Sequence, residues 1–74
     1  MTRDEQEKLI LALTATAEVM GGEIKPNVVL VMVDDLSDYQ LVDVLQALTR
    51  IRREHTGKLT LKIILDLLTP AGGW

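Results

Sequence analysis

The sequence contains no cysteine and no phenylalanine, and its only aromatic residues are Tyr39 and Trp74. The lack of cysteine excludes disulfides, thiol catalysis and thiolate metal sites. With so few aromatic side chains, the core must be aliphatic, which suits interdigitating helices and offers little material for an aromatic-lined ligand pocket. We therefore expect neither a cofactor nor a small-molecule substrate.

Long apolar runs are also missing from this chain of 74 residues. The longest, Val28 to Val33, is far below the roughly 20 residues that span a bilayer, and the acidic N-terminus does not resemble a signal peptide. We expect a cytoplasmic protein that makes no membrane contact. It has one helical domain over residues 1–69 and a flexible, linker-like end over residues 70–74, which looks like the edge of a longer protein.

The first helix is predicted from its two ends. Thr2 and Glu5 have the spacing of a capping box, and Gly21-Gly22 can end a helix in the left-handed conformation, so the helix covers residues 3–20. Its apolar face is predicted to contain Leu9, Leu13, Thr16 and Met20.

The second helix begins at Pro26, and its sequence has two interpretations. Four residues keep helical spacing, namely Val29, Met32, Val33 and Leu36. The run Val28–Val33 also has the composition of a buried strand. We favour the helix because the spacing continues to Leu36 and no partner strand is predicted elsewhere.

The third helix starts with Ser37 or Asp38 as its cap and ends near Gly57, and Thr60 caps a short fourth helix. The inward faces are predicted to contain Leu41, Val44, Leu45, Leu48 and Ile51 in the third helix, and Leu61, Ile64, Leu65 and Leu68 in the fourth. The predicted fold class is all-α, a compact four-helix orthogonal bundle.

Charge is distributed unevenly along the chain. Residues 1–49 carry nine carboxylates and three cations, whereas residues 50–62 hold five of the eight cations and one carboxylate. A basic block in an acidic domain is typical of a docking surface for a polyanion or an acidic partner, although an ordinary solvated face is the alternative. Arg52 falls inside the apolar stripe and is predicted to snorkel from the rim of the core or to pair with Asp34 or Asp35. The cations predicted to contact a partner or phosphate are Arg50, Arg53, Lys58 and Lys62.

Motifs that would carry chemistry are incomplete. Gly57-Lys58-Leu59-Thr60 resembles the end of a phosphate-binding loop but lacks the earlier glycine and the hydroxyl directly after the lysine. His55, the only histidine, has only Glu54 beside it and is predicted to be a cation at a helix C-terminus. We expect no catalytic, cofactor-binding or metal site, and hence no enzyme.

The helices contain more apolar residues than one small core needs. Five of them lie away from the inward faces and are predicted to bind a protein partner or to support self-association: Leu11, Leu30, Val31, Ile63 and Leu67.

Five stretches together resemble a known family: Thr14–Pro26, Asp35–Tyr39, Val44–Leu48, Arg52–Glu54 and Gly57–Ile64. They are similar to the N-terminal helical domain of phage and prophage replication proteins of the helicase-loader and loader-inhibitor type. In that pattern one helix ends near Gly-x-Glu-Ile-x-Pro and a second ends in Asp-Leu-x-Asp-Tyr. A third helix carries Ala-Leu and an Arg-Arg-Glu tail, and a short helix follows Gly-Lys-Leu-Thr.

The resemblance implies a protein-docking module that contacts a replicative helicase or an initiator and performs no chemistry. The alternative is a small helix-turn-helix-like DNA-binding domain that sets the block Arg50–Lys62 against phosphate. The net charge of −3 and the lack of an aromatic or Asn/Gln cluster place this alternative second, with weak DNA binding expected.

Overall fold

Four α-helices make up the part of the chain that the structure describes. The computed structural model describes residues 1–54 and 57–68, and no strand occurs within them. The helices are α1 (Arg3–Val19), α2 (Pro26–Leu36), α3 (Leu41–Glu54) and α4 (Leu61–Leu68). The predicted all-α fold is confirmed, and residues 28–33 are helical. The predicted linker over residues 70–74 and the predicted role of His55 lie outside the described residues.

The N-terminus of α1 is a capping box, as predicted. The Thr2 hydroxyl oxygen accepts a hydrogen bond from the backbone N–H of Glu5 at 3.2 Å. In return, the backbone N–H of Thr2 donates to the Glu5 carboxylate at 2.9 Å. The two bonds satisfy N–H groups that the first turn of a helix leaves without partners. The bond from the Thr2 backbone N–H, with a further contribution from the Thr2 side chain, favours the charged carboxylate and so lowers the pKa of Glu5.

The C-terminus of α1 depends on glycine at one position. Gly21 has a φ of 86°, and the backbone N–H of Gly22 donates to the Ala17 carbonyl at 3.0 Å. This is the bond pattern that closes a helix through a left-handed residue, where glycine carries no steric penalty.

The turn between α2 and α3 differs from the prediction. The Ser37 hydroxyl donates to the Asp34 carbonyl at 2.7 Å, so Ser37 ends α2. The prediction that Ser37 or Asp38 caps the third helix is wrong, since that helix begins at Leu41. A serine hydroxyl can bond either to a following N–H or to a preceding carbonyl, and here the second choice is made.

The core is aliphatic and lies between two layers of helix. α1 packs against α2 and α3, and α3 also packs against α4. The shortest dimension, 18 Å, accommodates two helix layers about 8–10 Å apart. The buried cluster consists of Leu9, Leu13, Val29, Met32, Val33, Leu36, Val44, Leu48, Ile51 and Ile64. Each helix therefore buries one face and leaves the opposite face to solvent.

Within residues 1–54 and 57–68, one polar side chain is buried, that of Thr16. Thr16 is 3% exposed, and its hydroxyl donates to the Ala12 carbonyl at 2.6 Å. Because the hydroxyl is satisfied within its own helix, it can occupy the apolar face without the cost of an unpaired group.

Replacing Leu48 by alanine should lower the free energy of unfolding by about 2–5 kcal/mol, because Leu48 is buried in the middle of α3. The matched change Leu11→Ala should cost less than about 1 kcal/mol, since Leu11 is 71% exposed on α1. Urea unfolding of the two variants measures both values, and equal losses would contradict the packing described here.

The capping box should make stability depend on pH in the acid range. Since the pKa of Glu5 is lower in the folded state, its stabilisation is complete above the ordinary glutamate pKa of about 4.3. It disappears as the pH falls through the lowered value. The wild type should therefore have the higher urea midpoint at pH 6, and its difference from Glu5→Gln should disappear as the pH is lowered to 3. Glu18→Gln, an exposed carboxyl on the same helix, is the control. Parallel curves for wild type and Glu5→Gln would refute the role of the cap.

Candidate docking surfaces

A concave surface lies between α3 and α4. Its larger part is a groove of about 410 Å³ lined by Arg50, Ile51, Glu54, Ile63, Asp66 and Leu67. A second hollow of about 350 Å³ shares Arg50 and Leu67 with the first and extends along α3 past Ala47 to Asp43. We call the two together the α3–α4 groove. Ile51 is buried, Ile63 is half-buried and Leu67 is exposed, so the groove has an apolar floor.

The edges of the α3–α4 groove are mainly acidic. Among the described residues, its lining contains the carboxylates Asp43, Glu54 and Asp66 and the cation Arg50. The Arg50 guanidinium donates from Nε to the Glu54 carboxylate at 2.7 Å, one helical turn away on α3. An exposed pair of this kind contributes only about 0.3–0.5 kcal/mol, but it leaves the groove with an excess of negative charge. The groove therefore suits a partner that is apolar on one side and carries cations at its edges.

The outward-facing side of α2 is the second candidate surface, and we call it the outer face of α2. It consists of Asn27, Val28, Leu30, Val31, Asp34 and Asp35, all exposed. Val28, Leu30 and Val31 are 48%, 57% and 59% exposed. Valine is a weak helix former, so two valines at exposed positions of an 11-residue helix do not serve helix stability. Their presence favours a contact with another surface.

The five predicted apolar site residues are distributed over three surfaces. Leu30 and Val31 lie on the outer face of α2, while Ile63 and Leu67 line the α3–α4 groove. Leu11 is exposed on α1 and belongs to neither. The prediction that Ile63 lies away from the core is wrong, because Ile63 is half-buried and packs against the core cluster. α4 has only eight residues, and its contact with the core includes Ile63 as well as the predicted inward residues.

Sequence reasoning missed three exposed apolar residues, namely Val19, Val28 and Val42. Val28 belongs to the outer face of α2 and could have been found from its position opposite the inward residues of that helix.

The predicted basic residues Arg50, Arg53, Lys58 and Lys62 are all exposed. The structure does not bring all four into one groove. Arg50 lies in the α3–α4 groove, whereas Lys58 lines a different hollow, beside Gly22 at the turn that follows α1. Lys58 and Arg50 therefore border separate hollows.

The predicted ion pair of Arg52 with Asp34 or Asp35 is wrong. Arg52 is exposed, and the ion pairs found within residues 1–54 and 57–68 are Arg3 with Glu7 and Arg50 with Glu54. The reason is the burial of Ala47, which is only 7% exposed. Because Ala47 is buried with Val44 and Ile51, the buried face is rotated and Arg52 lies about 90° from its centre.

The described residues contain no group of three or more histidine or carboxylate side chains that could hold a metal ion. In the same part of the chain, the buried side-chain nitrogen and oxygen atoms all have hydrogen-bond partners. None of the four described helices is long and apolar enough to cross a membrane.

Comparisons of this chain with protein-family models, with curated proteins and with solved structures found no match. The resemblance to phage replication proteins therefore stays a prediction from the five stretches of sequence.

The three arginines of α3 should differ little when each is replaced by alanine. Arg52→Ala and Arg53→Ala should change the free energy of unfolding by less than about 0.5 kcal/mol, because both side chains are exposed. Arg50→Ala should have the largest effect of the three, by a few tenths of a kcal/mol, since it loses the contact with Glu54. Thermal midpoints at low and high salt measure this order, and a dominant loss for Arg52→Ala would restore a buried role for that side chain.

Proposed function

We propose that this chain is a non-enzymatic protein-docking module of phage-type DNA replication, and that it contacts a replicative helicase or an initiator protein through the α3–α4 groove. The observation that carries the proposal is the composition of this groove. It joins two predicted apolar partner residues, Ile63 and Leu67, to one predicted basic partner residue, Arg50.

The positions of the helix ends support the family resemblance on which the replication role rests. α1 ends at Val19, one residue short of the Gly-x-Glu-Ile-x-Pro stretch, and α2 ends within Asp-Leu-x-Asp-Tyr. α4 begins directly after Gly-Lys-Leu-Thr. These three helix boundaries lie in or next to the stretches that carry the resemblance.

An amphipathic helix is the partner element that fits the groove best. The lining runs along α3 from Asp43 to Glu54, about 16 Å, which is enough for three turns of a partner helix. Ala47 allows close approach near one end, and Leu67 offers exposed apolar surface. The acidic edges favour lysine or arginine on the flanks of the partner helix and would speed its association.

The proposal is tested with the purified replicative helicase and initiator encoded by the same genome, titrated by isothermal calorimetry. One of the two should bind, and Leu67→Asp should weaken that binding at least about 10-fold because it places a charge on the groove floor. Leu11→Asp makes the same change on the outer side of α1 and should leave the affinity unaltered. Leu67→Asp and Leu11→Asp should both retain the helical circular dichroism of the wild type.

Binding of neither protein, or equal losses for Leu67→Asp and Leu11→Asp, would contradict the proposal. Duplex DNA serves as the competing ligand. We expect its affinity to stay in the nonspecific range, about 10⁻⁴–10⁻⁶ M, and to fall steeply with salt. Tight DNA binding that is lost in Arg50→Glu/Arg53→Glu would instead favour the DNA-binding alternative.

A further inference from the structure

The charges at the two ends of α2 oppose the dipole of that helix. Lys25 is the N-cap residue, at the end where the dipole is positive, and its side chain makes no capping hydrogen bond. Asp34 and Asp35 lie in the last turn, where the dipole is negative, and the first turn contains no acidic residue. Both placements are unfavourable within one isolated helix. The opposite arrangement occurs in α1, which has a capping box and acidic residues in its first turn.

A second copy of α2, laid antiparallel on the first, would reverse this disadvantage. The positive end of each helix, where Lys25 is the N-cap residue, would then lie at the same level along the pair as Asp34 and Asp35 of the other copy. The two dipoles would also run in opposite directions, which is their favourable arrangement. A different partner would need the same order of charges, whereas an identical helix in antiparallel orientation supplies it by symmetry.

The outer face of α2 has a residue order that matches itself in this orientation. With the two-fold axis midway between residues 30 and 31, Leu30 of one copy faces Val31 of the other. In the same register, Asn27 faces Asp34, so an amide donor meets a carboxylate acceptor. All four of these side chains are exposed, and the inward side of the helix is occupied by the core. Polar pairs therefore flank an apolar centre on both sides of the axis.

We propose that the outer face of α2 is a homodimer interface, in which two copies of the chain pair their α2 helices antiparallel about a two-fold axis between Leu30 and Val31. The interface is small. Three exposed apolar side chains in each copy provide much less than the ~800 Å² per partner of a standard stable complex, so we expect a dissociation constant on the order of 10⁻⁴–10⁻³ M. None of the residues that line the α3–α4 groove belongs to α2, so the proposed dimer interface and the groove use different residues.

Sedimentation equilibrium of the full chain between about 20 µM and 1 mM tests the proposal. We expect a reversible monomer–dimer equilibrium that Leu30→Glu weakens at least about 10-fold, because two carboxylates then meet near the axis. Leu11→Glu places the same charge on a more exposed leucine of α1 and should leave the equilibrium unchanged. Circular dichroism establishes that both variants are folded. A strict monomer at 1 mM, or equal effects of the two substitutions, would overturn the proposal.

A charge exchange tests the antiparallel orientation. Lys25→Glu alone should weaken the dimer about 3- to 10-fold, since a carboxylate then faces the aspartates of the other copy. Adding Asp34→Lys and Asp35→Lys should restore the wild-type equilibrium, because the exchanged charges again meet opposite charges. Failure of this rescue in a folded variant would exclude the proposed register.

Cysteine cross-linking provides a second measurement, which the lack of native cysteine makes unambiguous. Under mild oxidation, Val31→Cys should form a disulfide-linked dimer faster than Leu11→Cys by about 10-fold or more, because residue 31 lies beside the two-fold axis. Equal rates would contradict the proposed interface. The helicase and initiator titrations give a separate result, so failure of the dimer and failure of the docking function can be told apart.

Discussion

The position of α1 between its two neighbours is the constraint on which the remaining structure depends. α1 packs against both α2 and α3, and its residues Leu9 and Leu13 are completely buried. The buried core cluster contains no aromatic side chain, so it is filled by aliphatic residues and methionine from all four helices. The resulting fold is two layers thick, so a helix that contributes one face to the core must leave the other in water. The candidate surfaces are a direct consequence of this thin architecture.

The buried faces of the helices could be predicted from the sequence to the extent that each helix has one dominant stripe. In α2 the four residues predicted from their helical spacing are the four buried ones. All four are large apolar residues, so the buried stripe of this helix has a strong signal in the sequence. In α3 the prediction centred the stripe too close to Leu41 and Leu45, both of which are half-buried. Alanine carries a weak apolar signal, so the burial of Ala47 was missed and Arg52 was placed incorrectly. The start of α3 was missed because the bonding choice of Ser37 depends on the turn that surrounds it.

The grouping of surface residues could not be predicted from the sequence, because it depends on which helices are neighbours. Arg50 and Leu67 are distant in the chain and share a groove only since α4 packs on α3. Conversely, Lys58 and Arg50 are close in the chain, yet the connection between α3 and α4 carries Lys58 to the turn that follows α1. The basic block of the sequence is therefore divided in space at least between Arg50 and Lys58. The acidic lining of the α3–α4 groove also depends on which helices are neighbours, because it combines Asp66 of α4 with Asp43 and Glu54 of α3.

The two candidate surfaces differ in what each can contribute to recognition. The α3–α4 groove is concave and joins an apolar floor to charged edges, so it can select a partner helix by shape and charge. The outer face of α2 is small, and its only charges are those of Asp34 and Asp35, so it needs a cation such as Lys25 from the opposite end of a second α2. A dimer formed through α2 would carry two grooves, and a partner with several identical subunits could occupy both at once. The second contact would then be intramolecular, with an effective concentration in the millimolar range for short spacings. Weak pairing through α2 and moderate affinity in each groove would in this way produce tight binding to an oligomeric partner and weak binding to its isolated subunit.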